Sequence, residues 1–280
     1  MQYSYGSGRN NAGKPIVAYS SIDDYPVFGH FDNVYEYHRS ILSDKEKILY
    51  DEIVESYLQF KPDLSTSLNS LTTEELHKTF KYVILDHPEI FWIDKYASSN
   101  FYDNVLTNKK IKLYYYYSEK EALKAQNSIQ EKVDSIIQEA KTKSTDRDKI
   151  KFVHDKLIEI GTYTDYNIKN EGEFQSYLSI FQDGKTVCSG FAYGFKYIMD
   201  NLGIRSIIIA DINEEPGVES HIWNMVIIDD HLYNLDITYD DRDTEEKGET
   251  SYNYYLVDNG VFYLTHEKQE DVPSSTESLV

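Results

Sequence analysis

The 280-residue chain has a single cysteine, which rules out an intrachain disulfide and leaves the redox compartment undecided. With scattered histidines and one thiol, no zinc-ligand spacing can be drawn either. Basic residues are scarce: 28 Lys and Arg stand against 48 Asp and Glu, a formal net charge of −20. That balance argues against nucleic acid and against anionic membrane surfaces, and it favours basic or neutral partners. No stretch approaches the roughly 20 apolar residues needed to span a bilayer, so no membrane insertion is expected. Residues 1–8 lack a charged start followed by an apolar run, so no signal peptide is legible. No internal repeat is found. What is left is a length sufficient to bury a sizeable core, as one large domain or two smaller ones.

Tyrosine is plentiful, with 26 residues. The run Tyr114–Tyr117 reads as alternating faces of one strand, which outweighs an aromatic substrate groove. Residues 1–15, rich in Gly, Asn and Ser, are expected to be disordered, as is the tail 269–280 with Pro273, Ser274 and Ser275. Residues 16–117 read as an N-terminal α+β region. Ser43-Asp44-Lys45-Glu46 is a capping-box pattern before Ile48, Leu49, Ile53, Val54 and Leu58, and Thr72-Thr73-Glu74-Glu75 starts a second helix that ends before Pro88. β-rich runs follow at Ile90–Ile93, Phe101–Leu106 and Ile111–Tyr117. A charged connecting helix is expected within 118–145, and a C-terminal core over 146–268 begins with a helix from Arg147 to Ile160.

The chain turns on Asp183-Gly184-Lys185-Thr186-Val187-Cys188-Ser189-Gly190-Phe191-Ala192-Tyr193. Phe191, Phe195, Ile198 and Leu202 recur at helical steps and Gly203 closes the pattern, so Cys188 falls in the first turn of a helix. Unpaired N–H groups and the positive dipole end favour an anion there, and such a position lowers a thiol pKa. A lone cysteine beside Val187 and Phe191 is, as a type, more often a small buried hydrophobe than a nucleophile. Its downstream partners shift that balance.

His221–Ile228 and Leu232–Tyr239 flank a short polar turn and read as a hairpin. A two- or four-residue loop sets Trp223 opposite Asp236, which places His221 and Asp236 on one face as diagonal neighbours. A three-residue loop would put them on opposite faces. In the first arrangement Cys188 would attack an acyl carbon, His221 would take and return the proton, and Asp236 would fix the imidazole tautomer. The backbone N–H of Cys188 is a first candidate for the oxyanion, with Gln175 and Tyr177 as upstream oxyanion or substrate candidates. Trp223 and Asn224 are candidates for orienting or shielding the histidine. The acids Asp240, Asp241, Asp243, Glu245 and Glu246 lack the glycine and ligand rhythm of an EF-hand loop and read as a solvated loop. His154-Asp155 reads as structural.

Gly184-Lys185-Thr186-Val187-Cys188-Ser189-Gly190-Phe191-Ala192, then His221-Ile222-Trp223-Asn224, then Asp236-Ile237-Thr238-Tyr239-Asp240-Asp241 resembles the core of the transglutaminase-like superfamily. Ile150–Tyr166 is similar to the helix before that core, Tyr252–His266 to the strand that closes bacterial versions, and His87-Pro88-Glu89-Ile90-Phe91-Trp92 to an element upstream of it. The resemblance implies a papain-like or transglutaminase-like α+β core, in which a helix bearing Cys188 packs on an antiparallel sheet bearing His221 and Asp236. It implies that these three are a catalytic triad working through a thioester, and no cofactor is expected. The family spans protein cross-linking, deamidation, peptide hydrolysis, deglycosylation and inactive scaffolds. Hydrolysis needs fewer features than amine transfer, so a cysteine-protease-like hydrolase acting on a protein or peptide ranks first. A protein-glutamine transglutaminase or deamidase ranks second, and a non-catalytic interaction module third. A monomer at the cell surface or outside the cell is expected, with a cytoplasmic location as the alternative.

Overall fold

The structure is a computed structural model that describes residues 8–9, 15–16, 34–65, 71–94, 110–164, 175–211, 220–269 and 272–279. It divides into two compact units, one of residues 1–31 and 36–127 and the other of residues 32–35 and 128–280. The expected strand Phe101–Leu106 and most of residues 1–15 lie outside the described residues.

The first unit holds β1 (Gly8–Arg9), β2 (Pro15–Ile16), α1 (Tyr37–Ser40), α2 (Asp44–Leu58), β3 (Asp63–Ser65), α3 (Thr73–Asp86) and β4 (Lys110–Lys112). Both capping boxes form: the Ser43 N–H donates to Glu46, and the Thr72 N–H to Glu75. Helices α2 and α3 pack together. Leu49 and Ile53 are buried as the spacing implied, as are Leu76, Phe80 and Val83 on α3. Ile48, however, is exposed, Val54 and Leu58 are half-buried, and Tyr57 is buried in their place against Phe80. Two of the expected strands are shorter than their composition suggests. Ile90–Ile93 is mostly turn and meets the second run through one bridge, Ile93 to Tyr115. The side chains are held from elsewhere in the unit: Trp92 Nε1 donates to the Tyr57 carbonyl and Tyr115 Oη to the Lys61 carbonyl. The division between units falls inside α4 (Glu119–Lys141), whose Ile129, Val133 and Ile136 are buried.

The second unit continues with α5 (Asp146–Ile160), β5 (Thr162–Tyr163), α6 (Leu178–Gln182), β6 (Lys185–Thr186), α7 (Cys188–Leu202), β7 (Ser206–Asp211), β8 (His221–Ile228), β9 (His231–Leu235), α8 (Ile237–Lys247), β10 (Tyr255–Val257) and α9 (Asn259–Phe262). Strands β10-β9-β8-β7 form an antiparallel sheet in that order, and β5 pairs with β6 in parallel. Helix α7 packs on the sheet and is itself covered by α5 and α8.

The spacing pointed to an amphipathic α7, but Gly190 through Asp200 are all buried. A helix covered all round must satisfy its polar groups internally. Lys196 does so with Asp200, 3.1 Å away, and with the carbonyls of Tyr35 and Ser206. The tail also differs from expectation. Residues 272–279 run along β9 and the edge strand β10: Ser275 Oγ donates to the Leu232 carbonyl, and the Leu279 N–H to the Leu256 carbonyl. The free backbone groups of an edge strand supply partners that tail composition does not reveal.

Candidate active site

Cys188 is the first residue of α7, with Val187 as its extended N-cap. The N–H groups of Gly190 and Phe191 reach back to the Val187 carbonyl, so those of Cys188 and Ser189 precede the intrahelical ladder. The entry is tight: a Cβ on Gly190 would lie 1.7 Å from Thr186 Oγ1 and 2.5 Å from Ser179 Oγ. Those two hydroxyls bond each other at 2.6 Å. Gly203, at φ 70°, ends the helix as its pattern implied. Cys188 is half-buried.

The hairpin takes the two-residue loop. Ile228 faces His231, and Asp229 and Asp230 turn the chain with φ of 50° and 62°, the left-handed pair that matches strand twist. Asn224 pairs with Leu235, so one step along the register sets Trp223 opposite Asp236. His221 therefore comes to the face of Asp236, and its Nε2 lies 2.5 Å from Asp236 Oδ2.

Leu232–Tyr239 does not continue as a strand. β9 stops at Leu235, because Asp236 Oδ1 accepts from the N–H groups of Thr238 and Tyr239 and starts α8. That cap overrides the β propensity of Ile237-Thr238-Tyr239.

With Nε2 committed to Asp236, Nδ1 is the remaining nitrogen of His221, and the Cys188 thiol is among the groups that act on the ring. Burial alone would push the His221 imidazolium down, but the charge and hydrogen bond of Asp236 and the contact with Cys188 outweigh it and raise the group to about 10. Burial would likewise raise the Asp236 carboxyl, yet His221 and His266 hold it well below the usual carboxylate range. An ionised carboxylate only accepts, so each imidazole Nε2 facing it carries the hydrogen.

No family model matches the chain, and no curated protein matches it. The crystal structure of a TGase is similar to it over 44% of this chain, with 20% identity and a TM-score of 0.35. The chain covers 34% of that structure's length. The likeness is slight.

His266 was not singled out from the sequence as a site residue, yet its Nε2 lies 2.8 Å from the same Asp236 Oδ2. Its ring stacks on Phe262 with centroids 3.8 Å apart. Tyr239 is the other residue not anticipated, stacking on His221 at 5.0 Å. Both belong to segments that carry the family resemblance, but neither has a spacing signal of its own.

Trp223 does lie against the histidine, its ring 5.9 Å from that of His221, and it is fully buried. Asn224 faces away from it, donating to the Ala192 carbonyl and so tying β8 to the cysteine helix. Tyr177 is not brought to this group: fully buried, it stacks on Tyr197 at 4.3 Å as part of the core. Gln175 lies half-buried in the turn before α6.

The acid cluster, expected as a solvated loop, belongs to α8, and Asp240 and Asp241 are buried. Asp240 accepts from the Tyr254 N–H and pairs with His154 Nε2 at 3.1 Å, joining α8 to α5.

His221, Asp236 and His266 are also a set from which a metal ion could draw two nitrogens and an oxygen, all within 4.8 Å of one another. Tetrahedral ligands about 2.1 Å from zinc stand roughly 3.4 Å apart. The nitrogen–oxygen separations here are 2.5 and 2.8 Å, the spacing of hydrogen bonds with protons between the atoms.

Proposed function

We propose that the chain is a thiol enzyme that opens peptide or glutamine side-chain amide bonds through a thioester on Cys188. The observation that carries this is the orientation of one ring. His221 has Nε2 fixed on a buried carboxylate, which leaves Nδ1 for the thiol of Cys188, a half-buried residue at a helix N-terminus that acts on the same ring.

In this reading Nδ1 takes the thiol proton, and the sulfur bonds to the substrate carbonyl carbon. The carbon–nitrogen bond then breaks as the imidazolium returns the proton to the leaving amine. Water attacks the thioester, Nδ1 accepts its proton, and the carbon–sulfur bond breaks to give the acid and the thiol. The backbone N–H of Cys188, ahead of the helical ladder, would donate to the oxyanion. Gln175 remains the candidate for a second donor. Peptide hydrolysis ranks above amine transfer because water needs no acceptor channel. The surplus of acidic residues favours basic or neutral protein substrates.

The test is mass spectrometry of a peptide and protein library incubated with wild type and with Cys188→Ala, with and without an added primary amine. Cleavage that depends on Cys188 is the expected result. Cys188-dependent amine incorporation on glutamine would instead make it a transglutaminase, and a one-dalton gain without amine a deamidase. No Cys188-dependent product together with an unreactive thiol would refute the enzyme reading in favour of an interaction module.

A further inference from the structure

We propose that His266 is a positioning residue of the thiol site: its Nε2–H anchors the Asp236 oxygen that orients His221 and so keeps Nδ1 of His221 facing Cys188. The inference rests on the thiol-enzyme reading above.

The two oxygens of Asp236 have separate duties. Oδ1 is taken by the N–H groups of Thr238 and Tyr239, and so belongs to the start of α8. Oδ2 receives both imidazoles, His221 at 2.5 Å and His266 at 2.8 Å. A carboxylate held through one oxygen can still turn its plane, and His221 would turn with it. A second donor on Oδ2 removes that freedom, provided the donor is fixed.

His266 is fixed. Its side chain is 2% exposed, against 18% for His221. Its ring lies flat on Phe262, and Nδ1 is 3.0 Å from Thr265 Oγ1 and 3.3 Å from the Phe262 carbonyl. Helix α9 beneath it is capped by Asp258, which accepts from Gly260 and Val261. The titratable groups around the ring are Asp236, His221, Tyr239 and Tyr254. Packing against Phe262 would be served equally by a phenylalanine, whereas a nitrogen aimed at the carboxylate is needed only if Asp236 must be held.

The test uses the full chain, in which iodoacetamide has Cys188 as its sole thiol target. An ordinary thiol with a pKa near 8.5 is roughly 0.3% ionised at pH 6, so an imidazolium partner should speed alkylation there by about 100-fold. Wild type should show that advantage over His221→Ala. His266→Phe is expected to lose about tenfold at pH 6 and to shift the rise in rate to higher pH, whereas His266→Gln, whose amide donor reaches the same point, should stay within about threefold of wild type.

A wild-type rate and pH profile in His266→Phe, with His221→Ala still slow, overturns the role of His266 and leaves the triad standing. Equal losses in His266→Gln and His266→Phe, both with a native melting transition, overturn the donor role in favour of packing. If wild type and His221→Ala alkylate alike, the thiol reading itself falls and takes this inference with it. Should His266→Phe lose its melting transition, His266→Met, smaller and equally without a donor, replaces it on the same terms.

Discussion

Asp236→Asn changes one atom and should separate the carboxylate's structural duty from its chemical one. Asparagine caps helices as well as aspartate does, so its oxygen can keep the Thr238 and Tyr239 N–H groups and α8 should survive. The amide NH2 must then face two Nε2–H groups, donor against donor. Relief comes if His221 takes the other tautomer, with the hydrogen on Nδ1, but a protonated Nδ1 cannot accept the thiol proton. Loss of the working tautomer in a related triad costs about 10⁴ in turnover, and a fall of roughly 10³–10⁴ in Cys188-dependent turnover is expected here.

Stability should fall too. Raising His221 from 6.5 to about 10 corresponds to at most about 5 kcal/mol, of which Cys188 supplies part, so Asp236→Asn should lose about 2–4 kcal/mol. The histidine is raised in the fold, so this contribution is whole below about pH 6.5 and fades as pH climbs through about 10. The carboxylate is depressed in the fold, so its contribution is present above about pH 3.8 and fades as pH falls below that. Urea melts of wild type and Asp236→Asn should therefore differ most between about pH 4 and 6.5 and converge toward pH 10. A gap that stays constant or widens from pH 6.5 to 10, or alkylation of the variant at the wild-type rate at pH 6, would refute the reasoning.

Two further outcomes are expected. Burial, with the charge of Glu245, raises the Asp241 carboxyl from 3.8 to about 7. Because the folded form holds its proton more tightly than the unfolded one, wild type should lose stability between about pH 4 and 7. Asp241→Asn should gain about 1–3 kcal/mol over wild type across that window in urea melts, and a gap equal at both ends would contradict it. Gly190→Ala should overpack the entry to α7 and part Ser179 from Thr186, at about 2–4 kcal/mol and roughly 5–15 °C in Tm. A wild-type melting curve would show that the cysteine turn has slack that its distances deny.

The face shared by His221 and Asp236 was legible because side-chain parity in a hairpin depends only on loop length, and a two-residue loop is the one the structure takes. The cysteine's place was legible for a similar reason: Gly203 and the helical spacing locate α7 whichever faces it buries. What the spacing could not show were contacts made by single polar atoms across long separations. The end of β9 depends on one oxygen of Asp236, and the immersion of α7 depends on Lys196 finding Tyr35 and Ser206. The second imidazole on Asp236 comes from 30 residues downstream, beyond the reach of any local period.

These three failures share a cause. Periodicity records which faces are apolar, whereas each of these features is set by where a buried polar group finds its partner. At Asp236 the two kinds of information meet in one side chain, since parity brings it to His221 while its cap ends the strand at that point. A longer strand would carry Ile237 and Thr238 onward in the sheet and leave Oδ1 without its backbone donors. The strand-to-helix switch is thus what leaves Oδ2 free of helix duty and available to the imidazoles, so the fold's turning point and the orientation of His221 depend on the same carboxylate.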